Sequence, residues 1–160
     1  MNSKFKKRKR PIDYVGLDHI KAIREVFENT TLSEIEYELR YWFYIAISNE
    51  TSTYVDTTQR GNMVQFYHDL QNYLDAVSKY NNSHQLSSEQ FQYNCLIIKR
   101  FCVTYDLSYA RIELHDLLDS VISYEGRFTD NISTLDCLNY HLNILCLVEA
   151  GHIITNQTEQ

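Results

Sequence analysis

The sequence predicts an all-α fold, a single-domain bundle of five or six helices with a disordered basic N-terminal arm. Three observations carry that expectation. Hydrophobic residues make up 44% of a 160-residue chain, enough for a packed core without disulfide staples. Only four Gly and one Pro (Pro11) interrupt it, so long helices are permitted nearly everywhere beyond the arm. Apolar residues recur at spacings of three and four, and no segment of any length alternates strictly between apolar and polar. Residues 1–12 are read as the arm, 13–155 as the bundle and 156–160 as a disordered tail.

Each helix has its own signal. The first is expected over 17–29, with Ile20, Ile23 and Phe27 on one face and Asp18 near its positive end. The second is expected over 32–48, with Ser33 and Glu36 spaced as a capping box. Its core face reads Leu32, Ile35, Leu39, Trp42, Phe43 and Ala46, and from Tyr41 to Ile47 it is apolar all round. Such a helix belongs in the middle of a bundle or at an interface. The third, 61–80, carries Met63, Phe66, Leu70, Tyr73, Leu74 and Val77, and the linker NNSHQ follows it.

The fourth helix, 88–105, has a stripe of Phe91, Cys95, Ile98, Cys102 and Tyr105, broadened by Leu96, Ile97, Phe101 and Val103, which predicts a central place for it. The fifth is expected over 108–125 and the sixth over 133–150, with Gly126 and Gly151 as their left-handed caps.

Charge is unevenly distributed. Lys4, Lys6, Lys7, Arg8, Lys9 and Arg10 hold six of the fifteen basic groups, and no acid lies among them. Residues 11–160 then hold nine basic and 21 acidic groups, a net of −12 with His neutral. An acidic body argues against general nucleic-acid binding, leaving only the arm to touch an anionic partner. The arm also has the composition of a nuclear-import signal, although short basic runs are common without that role.

Cys95, Cys102, Cys137 and Cys146 form no Cys-x-x-Cys pair and sit in apolar runs, as expected of buried free thiols in a reducing cytoplasm. No apolar h-region follows the basic arm, and no run is long enough to span a bilayer.

Two stretches echo each other: YHDLQNYLDAVSKY over 67–80 and LHDLLDSVISY over 114–124. A His-Asp pair with a further His and a distant Asp can hold a catalytic metal ion, so His68 or His84, His115, Asp116 and Asp136 form one candidate set. That reading would make the chain an HD-type phosphohydrolase. Helical geometry argues against it. Asp116 shares a face with Glu113, Ser120 and Ser123, which reads as solvated, and Asp69 lies with Gln65 and Asn72. The echo also slips by three residues between its two copies, a rotation of about 300° on a helix.

Other pairs are weaker. Arg111 and His115 loosely resemble the Arg…His pair of helical RNases of the HEPN class, but stand closer together than that family places them. Cys137 and His141 are four apart, half of a zinc site with no second half.

Thirteen Tyr residues and Trp42 are the most unusual feature. Tyr37, Tyr41, Tyr44 and Ile45 mark the second helix as the expected contact face, because aromatic side chains are enriched in protein interfaces. The stretches ARIELHDLLDSVISYEGRF, LNYHLNILCLVEA and ELRYWFYIAISN resemble short helical proteins of Bacteroidetes bacteria that have no assigned activity. The resemblance runs over residues 30–150. It implies a cytoplasmic bacterial protein carried near mobile elements, and no catalytic role.

The resulting expectation is a helical interaction or regulatory module, non-enzymatic and without cofactor, that homodimerises or binds another protein. Two alternatives stand beside it: the metal-dependent hydrolase, and an acidic mimic that blocks a nucleic-acid-binding protein.

Overall fold

A computed structural model describes residues 11–48, 56–83, 92–122 and 134–157. The expectations for the arm 1–10, His84, Phe91 and the cap at Gly126 lie outside these residues. The described residues form six α-helices and no strand: α1 (Pro11–Asn29), α2 (Leu32–Ser48), α3 (Thr57–Ser83), α4 (Gln92–Thr104), α5 (Leu107–Ile122) and α6 (Thr134–Gln157). The all-α bundle is therefore the fold.

Local chemistry starts three of the helices. At α2 the capping box is Thr31–Glu34, two residues earlier than the sequence suggests. Glu34 N donates to Thr31 Oγ1 at 3.3 Å, and Thr31 N donates back to Glu34 Oε2 at 2.7 Å. The bonds that Thr31 N and Thr31 Oγ1 donate to the carboxylate hold Glu34 below its ordinary pKa. Asp56 caps α3 by accepting from Gln59 N at 2.8 Å, and Asp106 caps α5 by accepting from Tyr109 N at 2.9 Å.

Helix α6 is the hub. It packs against α1, α2 and α4 and touches α5, while α3 packs against α1, α4 and α5. The buried side chains form one core drawn from all six helices, with Ile23, Leu39, Trp42, Tyr73, Leu114 and Ile144 among its most enclosed members. Arg24 of α1 donates to the carbonyl of Thr155 on α6 at 3.1 Å. Arg111 of α5 pairs with Asp75 of α3 at 2.6 Å.

Several expectations are corrected. Gly151 does not end α6, which continues to Gln157 and takes in residues assigned to the tail. Tyr73 is the reason a glycine stands there. A Cβ at Gly151 would run into the Tyr73 hydroxyl and lie 3.0 Å from its Cζ. The hydroxyl itself donates to the carbonyl of Leu147 at 2.5 Å, one turn earlier on the same helix. The glycine serves close approach of a side chain, not a left-handed turn. Beyond it, Ile154 and Thr155 are buried, so the helix has an apolar reason to persist.

Helix α4 is peripheral rather than central. Leu96 and Val103 are exposed, because among the described residues α4 packs chiefly on its α3 and α6 sides. The thiols divide. Cys95 and Cys137 are buried, Cys102 is half-buried and Cys146 is exposed, and all four are free.

Candidate interaction face

Of the metal-site candidates, His68 and His115 each lie beside the ring of Tyr67. The ring of Tyr67 lies 5.6 Å from that of His68 and 6.4 Å, edge-on, from that of His115. Their acidic neighbours differ: one turns to a glutamine and the other stays near its own histidine. Asp69 accepts from Gln65 Nε2 at 3.0 Å, and Asp116 lies 3.7 Å from His115 Nδ1. Asp136, exposed on α6, is felt by Glu113 and by Tyr105 and Tyr109 instead. Among the described residues no group of three His, Cys, Asp or Glu side chains is placed to hold a metal ion.

Glu113 is the residue that the sequence misplaces. It was expected on a solvated face with Asp116 and Ser120, yet Glu113 and Ser120 are both buried. The seam of α5 against α2, α3 and α6 is wider than its leucine stripe and swallows the next position round. Desolvation raises the Glu113 carboxyl pKa, with Asp116 and Asp136 adding to the rise and a hydrogen bond from Tyr109 opposing it. The same bond pushes Tyr109 up to about 12. Cys137 and Cys102 are driven up to about 12 and about 11 by burial, so neither thiol is activated as a nucleophile.

The four residues expected to form a contact face on α2 differ in exposure. Tyr37 is 68% exposed and Tyr44 is 49% exposed, and Tyr41 stacks on Tyr37 with ring centroids 6.4 Å apart. Ile45, however, is 2% exposed and belongs to the core. It follows Trp42 by three positions, and α2 is buried on two sides, against α5 and α6, so its inward face is broad. Ile47, exposed and three positions after Tyr44, takes Ile45's place on the outward ridge.

A second ridge was not legible in the sequence. On α6, Leu135 is 63% exposed and Leu142 is 51% exposed, with Leu138, Cys146 and Ile153 also outward. Positions 135, 142, 146 and 153 fall within about 20° of one line along the helix. The opposite face of the same helix holds Cys137, Tyr140, Ile144, Leu147 and Val148 in the core. Helix α6 is thus apolar on both faces, the property that the sequence assigned to α2.

The two ridges flank one seam. Phe43 of α2 and His141 of α6 stack with centroids 4.4 Å apart and planes 13° from parallel. Tyr44 and Ile47 follow Phe43 by one and four positions; Leu138 and Leu142 lie three before and one after His141. Ile47 and Leu138, four and three positions away, sit beside the stacked pair, and Tyr44 and Leu142 lie about 100° further round their helices. His141 is buried and its Nδ1 has no hydrogen-bond partner. Burial, with the Arg40 charge adding to it, pushes its pKa down to about 4, so the ring is neutral at pH 7.

Comparison with known protein families, with curated proteins and with solved structures finds no match for the chain. No helix among the described residues is long and apolar enough to cross a membrane.

Proposed function

We propose that the chain is a non-enzymatic helical interaction module whose contact surface is the α2–α6 face. One observation carries the reading: large apolar side chains, Tyr37, Tyr44 and Ile47 on α2 and Leu135, Leu138 and Leu142 on α6, stand exposed on the two helices that the Phe43–His141 stack joins. Contiguous exposed apolar surface of this kind marks binding sites in folded domains, and its aromatic anchors suit an interface core. The basic arm, in this reading, is an auxiliary tether for an anionic surface. Free thiols accord with a cytoplasmic setting.

Native mass spectrometry of the full chain isolated from its own cells tests the proposal. The expected result is a metal-free protein assembly that weakens when Tyr44→Asp and Leu142→Glu are introduced together. A monomer indifferent to both substitutions overturns the reading. So does a monomer carrying a metal ion that His115→Ala removes, because that outcome belongs to the hydrolase alternative.

A further inference from the structure

The last turns of α3 and the corner between α4 and α5 frame a cavity of about 200 Å³ that uses no residue of α2 or α6. Its place follows from the chain path. Helix α4 ends at Thr104 and α5 starts at Leu107, so the two diverge from a short corner. The third side is one ridge of α3, where Leu74, Val77, Ser78, Asn81 and Asn82 recur at spacings of three and four. A cavity of about 150 Å³ holds a benzene-sized ring, so this one takes a ring with a short substituent.

The lining has an apolar part and a polar part. Leu74, Val77 and Ala110 are core side chains, and the rings of Phe101 and Tyr105 lie beside them with centroids 5.0 Å apart. These supply apolar contact and two electron-rich aromatic walls. The polar part is the pair of carboxamides Asn81 and Asn82 on α3, and Asp106 at the corner. One oxygen of Asp106 accepts from Tyr109 N at 2.9 Å, which leaves the other for a second donor.

Charge selects the ligand. Among the described residues the cavity is lined by one carboxylate, Asp106, and by no basic side chain. An anion would meet Asp106 and an acidic body with no counter-charge at hand. A cation gains twice. Tyr105 and Asp106 are consecutive and line the same space, so one ammonium group can meet both an aromatic ring and a carboxylate.

We propose that this cavity binds a small organic amine, a single ring seated against Phe101 and Leu107 that carries an ammonium group on a short arm ending at Asp106. The site is separate from the α2–α6 face, and either reading can fail without the other.

Cys102 reports occupancy. It lines the cavity half-buried, and burial pushes its thiol up to about 11, so it alkylates slowly. Cys146, exposed on α6 and outside the cavity, is the internal control. Alkylation of both thiols by N-ethylmaleimide is followed in the intact chain by peptide mass spectrometry. The probes are phenethylamine, phenethyl alcohol, phenylacetate and butylamine, each at about 10 mM, a concentration set by the millimolar affinity that so few atoms allow. Phenethylamine is expected to slow Cys102 at least about threefold and to leave Cys146 unchanged. The alcohol lacks the charge and butylamine lacks the ring, so each should protect less, and phenylacetate least. Calorimetric titration of the same probes should give the same order independently of thiol reactivity.

Two variants locate the contacts. Asp106→Asn keeps the α5 cap, because asparagine caps as well as aspartate, and should bring the amine and the alcohol to within about twofold of each other. Ser78→Leu extends a side chain into the cavity and should abolish protection. Failure of phenethylamine both to protect Cys102 and to give a titration overturns the proposal, as does equal binding of phenylacetate. Equal binding of butylamine overturns it too, because the site would then suit a lysine side chain of another protein. Persistence of the amine preference in Asp106→Asn, or of protection in Ser78→Leu, places the ligand elsewhere and overturns it as well.

Discussion

Gly151 and Tyr73 form a contact in which one hydrogen atom's worth of space is used structurally. The Tyr73 hydroxyl reaches the Leu147 carbonyl only because position 151 has no Cβ. Gly151→Ala should therefore destabilise the protein by about 2–3 kcal/mol, despite alanine's better helix propensity, since the core must shift or lose a buried hydrogen bond. Tyr73→Phe should cost about 1–2 kcal/mol alone and remove the nearest clashing atom. The double variant is then expected to be less damaged than the sum of the two, by a coupling above about 0.5 kcal/mol in urea denaturation. Strict additivity would sink this account.

The buried imidazole of His141 makes a pH prediction. Its folded pKa of about 4 lies below the unfolded value of 6.5, so between these values the unfolded chain binds the extra proton. Stability contributed by the neutral ring is complete above about pH 6.5, falls as pH drops toward 4, and levels off below. The loss is on the order of 2–3 kcal/mol. His141→Leu should flatten this acid limb, because it removes both the titrating group and an imidazole nitrogen without a partner. Urea midpoints of both proteins at pH 7, 5.5 and 4.5 measure it; parallel curves would refute the assignment. None of this was visible in the sequence, where His141 stands four residues after Cys137 and reads as a core-edge neighbour.

At the scale of elements, helix starts are set by short-range chemistry, and the sequence offers more caps than the fold uses. Ser33 and Glu36 have the right spacing, yet Thr31 and Glu34 make the box. Thr31→Ala should cost about 1 kcal/mol and Ser33→Ala should cost little, as thermal unfolding of the pair would show. A larger loss from Ser33→Ala would return the cap to the position predicted from sequence.

Helix existence was legible throughout, because six stretches carry apolar residues at spacings of three and four. Ends were less so: α1 begins at Pro11 and α3 at Thr57, earlier than their apolar stripes suggest. Proline suits a first helical turn, where its missing N–H is not needed. Asp56 supplies the α3 start with no apolar residue to announce it. The face of each helix was legible only where one stripe is apolar. Glu113, Ile45 and Cys146 were misjudged on helices whose neighbours bury more or less than a single stripe.

For the whole molecule, the decisive feature is one continuous core gathered from all six helices, with α6 as its hub. Such a core should unfold as a unit. Thermal transitions followed by far-UV and by near-UV circular dichroism are expected to coincide, and the thirteen Tyr residues give the near-UV signal its strength. Separate midpoints would mean that part of the bundle folds independently.

The sequence by itself determined that the chain is helical, as five or six helices, and roughly where they lie. Those properties follow from local spacing, few breakers and enough apolar content to fill a core. It also marked Tyr37 and Tyr44 as outward-facing aromatics, while Tyr41, placed with them, is half-buried against the core. Only the tertiary structure decided which helix is central, which side of α6 faces solvent, why Gly151 is a glycine, and that Glu113 and His141 are enclosed. A helix that is apolar on every face has no preferred inward side until its neighbours are in place. The arrangement of those neighbours, rather than any pattern within α6, leaves Leu135 and Leu142 exposed.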